Sequence, residues 1–289
     1  QDGTVSPYSY FGLGTFNPAN TVENNAMGGL SIYGDSIHVN LQNPASYGLL
    51  KLTTYTVGVS HRRMALTSDT QEKSTALTAI DYLSVAMPIA ENIGIGFGIT
   101  PVTSMGYILN SSAENANGET ITNVFSGDGG LSKIYFSLGA APIKNFTVGA
   151  SAFANFGTVN KERVQSLSSV LFGTIDRRTS RMNGFNFQMA ANYTPNITDK
   201  LTLYTSFVHT TGLDLKASNT QQVGSLSLVN GSELEVSDLD LEAANLKNNT
   251  VKIPSVTTLG LGIGENKKWL LGASYTIQEM GSFSSTFLS

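Results

Sequence analysis

The chain contains no cysteine, which excludes a disulfide frame and thiolate metal sites and leaves the redox compartment undecided. Charge is also scarce: Asp, Glu, Lys and Arg make up 13% of residues, against roughly 25% in soluble globular chains. The net charge of -4 offers no basic patch, so no nucleic-acid partner is expected. No apolar run approaches the ~18 residues that a membrane helix needs. The three histidines, His38, His61 and His209, have no Glu or Cys at a ligand interval, so neither a metal nor another cofactor is expected. Disorder is excluded by 40% hydrophobic residues and a mean hydropathy of -0.01. If such a chain crosses a membrane, it does so as a closed β-barrel, because in lipid only helices and closed barrels satisfy every backbone group.

What the sequence does have is period-two alternation. Phe146, Val148, Ala150, Ala152, Ala154 and Phe156 share one face, opposite Thr147, Gly149, Ser151, Asn155 and Gly157. Phe185, Phe187, Met189, Ala191 and Tyr193 stand opposite Asn186, Gln188, Ala190 and Asn192. The same pattern recurs from residues 93, 134 and 269. In a soluble sandwich the second face would be rich in Lys and Glu. Here it is small and almost free of charge, so the apolar face reads as lipid-facing and the small polar face as lumenal.

Short turns at 88–92, 142–145, 194–200 and 265–268 alternate with long polar stretches near 110–120, 161–180 and 214–248, as in outer-membrane barrels with periplasmic turns and extracellular loops. Phe146, Tyr193 and Trp269 lie beside the short turns and fit an interfacial aromatic girdle. The expected strands are about 51–66, 73–89, 93–109, 120–142 (interrupted by "GDGG"), 146–162, 172–194, 201–213, 250–264 and 269–283. Nine is odd, whereas bacterial single-chain barrels have an even count. The C-terminal strands are therefore expected to be absent from this chain, or the count is off by one. Gln1 in place of Met suggests a removed secretory signal, with an engineered start as the alternative.

Residues 1–50 are too polar and glycine-broken for another lipid-facing hairpin. Their segment "AMGGLSIYGDSIHVNLQNPAS" resembles the N-terminal signature of the FadL family, outer-membrane transporters of long-chain fatty acids and other hydrophobic compounds. Gly28, Gly29, Asp35, Asn43, Pro44 and Ala45 carry the match. "MPIAENIGIGFGITPV" at 87–102 resembles the second turn and third strand of such barrels. The resemblance implies an all-β, transmembrane, antiparallel up-and-down barrel of about 14 strands, with about nine present here. Residues 1–50 would form an N-terminal lumenal plug or hatch and 51–289 the barrel. It also implies a Gram-negative outer-membrane location and outer-membrane lipid as surroundings. A solvent turn before the first strand is the alternative for residues 34–46.

From the resemblance, Gly28, Gly29, Asp35, Asn43, Pro44 and Ala45 are candidates for ligand gating in the hatch. Gly94, Gly96, Gly98 and Pro101 are candidates for a third-strand kink or lateral opening, since Gly carries no side chain and Pro cannot donate to the ladder. A glycine face packed tightly against the hatch is the alternative reading. Ser60 and His61 are strand neighbours that point to opposite faces and cannot form a nucleophile and base, so no enzyme is expected. The acids of 231–246 read as a solvated extracellular hairpin, or else as a calcium or partner site.

Two functions follow. One is passage of hydrophobic or amphipathic small molecules, with a fatty acid-like ligand. The other is that of a non-transporting accessory subunit of a larger outer-membrane secretion or assembly complex, like the PorV-type barrels of the same family, with other outer-membrane proteins as partners. A lumenal face of Gly, Ser, Thr and Asn with few aromatics mildly favours the second.

Overall fold

The computed structural model describes residues 4, 6–67, 72–266, 268–279, 281 and 287; Lys267 of the fourth expected turn and most of 280–289 lie outside them. The chain is all-β, with every strand pairing antiparallel. The strands are β1 (Thr15–Phe16), β2 (Thr54–Thr67), β3 (Glu72–Ala90), β4 (Ile93–Glu114), β5 (Thr120–Ile143), β6 (Phe146–Leu167) and β7 (Phe172–Tyr193). Then come β8 (Thr202–Thr210), β9 (Leu213–Ser227), β10 (Glu233–Asp238), β11 (Asn248–Ile253), β12 (Val256–Glu265) and β13 (Trp269–Gln278). Among the described residues the helical elements are α1 (Val22–Ala26) and two 3-10 helices, Pro7–Tyr10 and Pro44–Leu49.

The sheet runs β13-β12-β8-β7-β6-β5-β4-β3-β2, matching the nine up-and-down strands expected. Among the described residues its end strands β13 and β2 do not pair with each other, so the sheet is open. Two of the nine are longer than their labels. β7 pairs with β8 over Gln188–Tyr193 and with β9 over Phe172–Asn183, so β8 and β9 form one line interrupted at Thr211 and Gly212. Its partner line is β11 and β12, interrupted at Pro254 and Ser255, where proline has no N–H to give.

The structure inverts the arrangement of a soluble sheet, as the alternation predicts. On β7, Phe185 is 74% exposed, with Phe187, Met189 and Tyr193 also exposed, while Asn186, Gln188, Ala190 and Asn192 between them are buried. Those polar residues bond one another across strands: Asn155 Nδ2 donates to Asn186 Oδ1 at 2.9 Å, and Gln188 Nε2 donates to Thr210 Oγ1 at 3.0 Å. Burying a polar group is tolerable when it is paired in this way.

The polar stretches at 110–120 and 161–180 are largely strand rather than loop. β4 through β7 carry on, paired, well past the apolar band, to Glu114–Thr120 and Leu167–Ile121. Paired polar side chains replace apolar ones there, as where Arg177 bonds Glu162 and Glu233, each at 2.8 Å. "GDGG" does not interrupt β5, which pairs with both neighbours through Gly127–Gly130. The irregularity is a bulge on the neighbouring strand, between Pro101 and Thr103.

Candidate functional site

The N-terminal segment lies on the buried, small-residue face of the sheet, and its docking is built from local capping chemistry. Asn43 is the N-cap of the 3-10 helix Pro44–Leu49: its Oδ1 accepts from Ala45 N at 3.1 Å, and Pro44 takes the first helical position, where a missing N–H costs nothing. Its Nδ2 donates to Asn192 Oδ1 of β7 at 2.8 Å and to Ser31 O at 3.3 Å. One fully buried side chain thus ends a loop, starts a helix and ties both to the sheet. Ala45 packs with Ala190 and Val208.

The sheet side of this contact is glycine. A Cβ at Gly94 would run into the backbone oxygen of Tyr47, one at Gly96 into the Tyr47 ring, and one at Gly149 into the Pro44 backbone. Gly98 has no such role; a side chain there would strike Leu83 and Ser84 of the next strand. Gly94, Gly96 and Gly98 all pair with both β3 and β5, and the β3 register shifts between Pro88 and Ala90, beside Gly94. Close packing against the N-terminal segment describes Gly94 and Gly96 but not Gly98, and the register with β5 shifts at Pro101.

Above Leu83 and Ile99 the pairing of β3 with β4 ends, although β3 continues to pair with β2 as far as Glu72 and Thr67. The two strands fork. The N-terminal segment fills the β4 side of the fork: Thr15 and Phe16 pair with Ser104 and Thr103, Asn17 N donates to Val102 O at 2.9 Å, and Ser9 Oγ both accepts from Gly106 N at 3.1 Å and donates to Gly106 O at 3.2 Å. Gly14 makes this approach possible, since a Cβ there would fall against Ser104 O. A cavity of about 420 Å³ remains in the fork, bordered by Arg62 and Asp81 and by Ile80, Ile99 and Pro101. Arg62 and Asp81 form an ion pair at 3.3 Å, and Ser60 Oγ donates to Asp81 at 2.9 Å.

The remaining candidates have structural roles. Gly28 and Gly29, at φ 73° and 83°, cap the C-terminus of α1, with Gly28 N donating to Asn25 O and Gly29 N to Asn24 O; the left-handed conformation is the reason for glycine there. Asp35 Oδ1 accepts from Ile37 N at 2.9 Å and His38 N at 2.7 Å, and Oδ2 meets His38 Nδ1 at 2.5 Å. Burial alone would raise its pKa, but these bonds more than offset that and hold it below the usual carboxylate value. Asp35 and His38 border a cavity of about 620 Å³ formed within residues 21–40.

Sequence reasoning missed the aromatic content of the buried face. Tyr82, Tyr135 and Phe153 cluster with Tyr47, Val39 and Leu41, and farther up Tyr107, Met105, Leu131 and Val159 cluster with Leu13. Only Phe153 carries a signal in its own strand, as an aromatic between the small polar Ser151 and Asn155; Tyr107 stands between Met105 and Leu109 and Tyr135 beside Lys133, which give none.

A family model described as BamG matches residues 1–289. No curated protein and no solved structure matches the chain. The FadL resemblance is thereby overturned. Its residues solve generic local problems, an N-cap at Asn43, a first-turn proline and a glycine helix stop, which any chain entering a sheet in this way can use. The chain belongs to the BamG family.

Proposed function

We propose that this protein is a non-transporting accessory subunit of an outer-membrane assembly complex. Its sheet would be part of a barrel wall in the Gram-negative outer membrane, and residues 1–50 a fixed lumenal plug. The observation that carries this reading is the use made of the interior: its apolar and aromatic positions are taken by Leu13, Val39, Leu41 and Tyr47 of the chain's own N-terminal segment. Family membership supports an outer-membrane association with other proteins. The outward row of Phe185, Phe187 and Met189 suits either lipid or the wall of a neighbouring membrane protein. No reaction and no cofactor are assigned to it.

One observation favours the second reading, passage of an amphipathic compound. The fork beside Pro101 has a polar interior at Arg62 and Asp81 and an apolar rim at Ile80 and Ile99. In that reading Asp35 and Asn43 would move with the plug, and ligand would leave beside the third strand. Mild detergent extraction at native expression level, with mass spectrometry of co-purifying proteins and small molecules, separates the two. A stoichiometric complex with other outer-membrane proteins is expected. A monomer that retains lipid or fatty acid would overturn the accessory-subunit reading.

A further inference from the structure

The long strands end in an apolar tip. β6 turns into β7 at residues 168–171, and β9 turns toward β10 at 228–232. The two turns lie side by side, since Phe172 pairs with Ser227 and Leu228 N donates to Leu171 O at 2.9 Å. Val170, Leu171, Phe172, Leu228, Val229 and Leu234 are all exposed there, Leu171 at 67% and Val229 at 76%. This is not the lipid-facing band. On β7 the outward series Tyr193, Met189, Phe187, Phe185 ends at Asn183 and the exposed Arg181, and Phe172 lies roughly 30 Å farther along the strand at ~3.3 Å per residue. A contiguous apolar patch of this kind in water marks an interaction surface.

The surroundings of the patch select the partner. Glu233 and Glu235 follow directly on the β9–β10 turn, and the Glu119 carboxylate accepts from Ser169 of the β6–β7 turn; Asp238, paired with Gln222, and the acids after it lie farther down β9. Arg177 pairs with Glu233 and Lys247 with Glu242. Among the described residues, Glu119 and Glu235 make no ion pair. An apolar centre with an acidic rim is complementary to an apolar centre with a basic rim.

We propose that this tip docks a second protein on the extracellular side of the membrane, through an apolar face flanked by lysine and arginine. The inference rests on the accessory-subunit reading for the existence of a complex, and it adds a contact outside the membrane.

The test uses the native complex, with carbodiimide cross-linking of carboxylates to lysines read by mass spectrometry, and a photo-cross-linker placed separately at Phe187 on the outward face of β7. Cross-links from Glu119 or Glu235 to lysines that border an apolar face of another protein are expected. The triple variant Leu171→Ser, Phe172→Ser, Val229→Ser should lose them, and lose that protein at least tenfold, while Phe187 cross-links persist. Persistence at Phe187 also shows that the variant is folded. Tip cross-links that stay within the chain, join a second copy or survive the triple variant would overturn the docking inference alone, as would a tip covered by lipid or glycan. Absence of cross-links at both positions in the unsubstituted protein would sink the accessory-subunit reading and this inference with it.

Discussion

Asn43 has no exposed surface and bonds three ways, to Ala45 N, Ser31 O and Asn192 Oδ1. Asn43→Ala leaves a buried Asn192 oxygen without its donor, which should cost about 1–3 kcal/mol. A double-mutant cycle with Asn192→Ala separates the pair from the cap: the coupling should be favourable, and additive losses would mean that Asn43 acts only as an N-cap. Asp35 supplies a pH dependence with a definite sign. Its folded pKa is below the ordinary 3.8, so its contribution is present in full above that value and drains away as pH falls below it, through the lowered folded value. Asp35→Asn should therefore melt at a lower temperature than the parent at about pH 6 and level with it near pH 2. A difference that does not change with pH would assign the loss to shape rather than charge.

At the scale of elements, the point most open to experiment is the two-residue strand β1 at the fork. A chain without cysteine gives an unambiguous probe, because Thr15→Cys with Ser104→Cys can join only to each other. Directly opposed antiparallel residues sit roughly 4.5–5.5 Å apart at Cα, within disulfide range. The double variant should oxidise readily, and adding Gly14→Val, whose side chain would meet Ser104 O, should abolish the bond; a cross-link unaffected by Gly14→Val would mean that β1 is not seated as described. The long strands were readable in the sequence because their signal is local: the step from Phe185 to Asn186 to Phe187 fixes two faces without reference to any other residue. β1 was not readable, since two residues hold no periodicity and their partners Thr103 and Ser104 are far away in the chain. The same limit hid the docking of Tyr47 against Gly94 and Gly96, where glycine gave two equally good meanings, a gap or a close contact. The expected strand from 146 stops at 162, short of the end of β6 at Leu167, because ion pairs such as Arg177 with Glu162 replace apolar alternation there, and the sequence does not announce which charges will meet.

For the molecule as a whole, everything turns on which side of the sheet meets lipid, and β7 allows this to be tested along a single strand. Outward positions Phe185, Phe187 and Met189 are exposed and apolar, Tyr193 ends the row beside the short turn, and Arg181 ends it at the other side. The eleven or so residues from 183 to 193 are about what a tilted strand needs to cross the hydrocarbon. Arginine placed at each outward position should then give a bell-shaped cost: about 2–4 kcal/mol at Phe187 or Met189, near the middle, and about 0–1 kcal/mol at Asn183, beside a native arginine. Denaturant unfolding of the protein refolded alone in phospholipid vesicles measures this without any partner, so that burial against a neighbouring protein cannot imitate the profile. Inward positions supply the contrast. Arginine at Ala190 must enter the space that Ala45 and Val208 fill, and its cost should come from overpacking and an unpaired buried charge rather than from depth. A flat profile on the outward face would mean that Phe185, Phe187 and Met189 do not meet lipid, and the exposed apolar row would then need a protein to cover it.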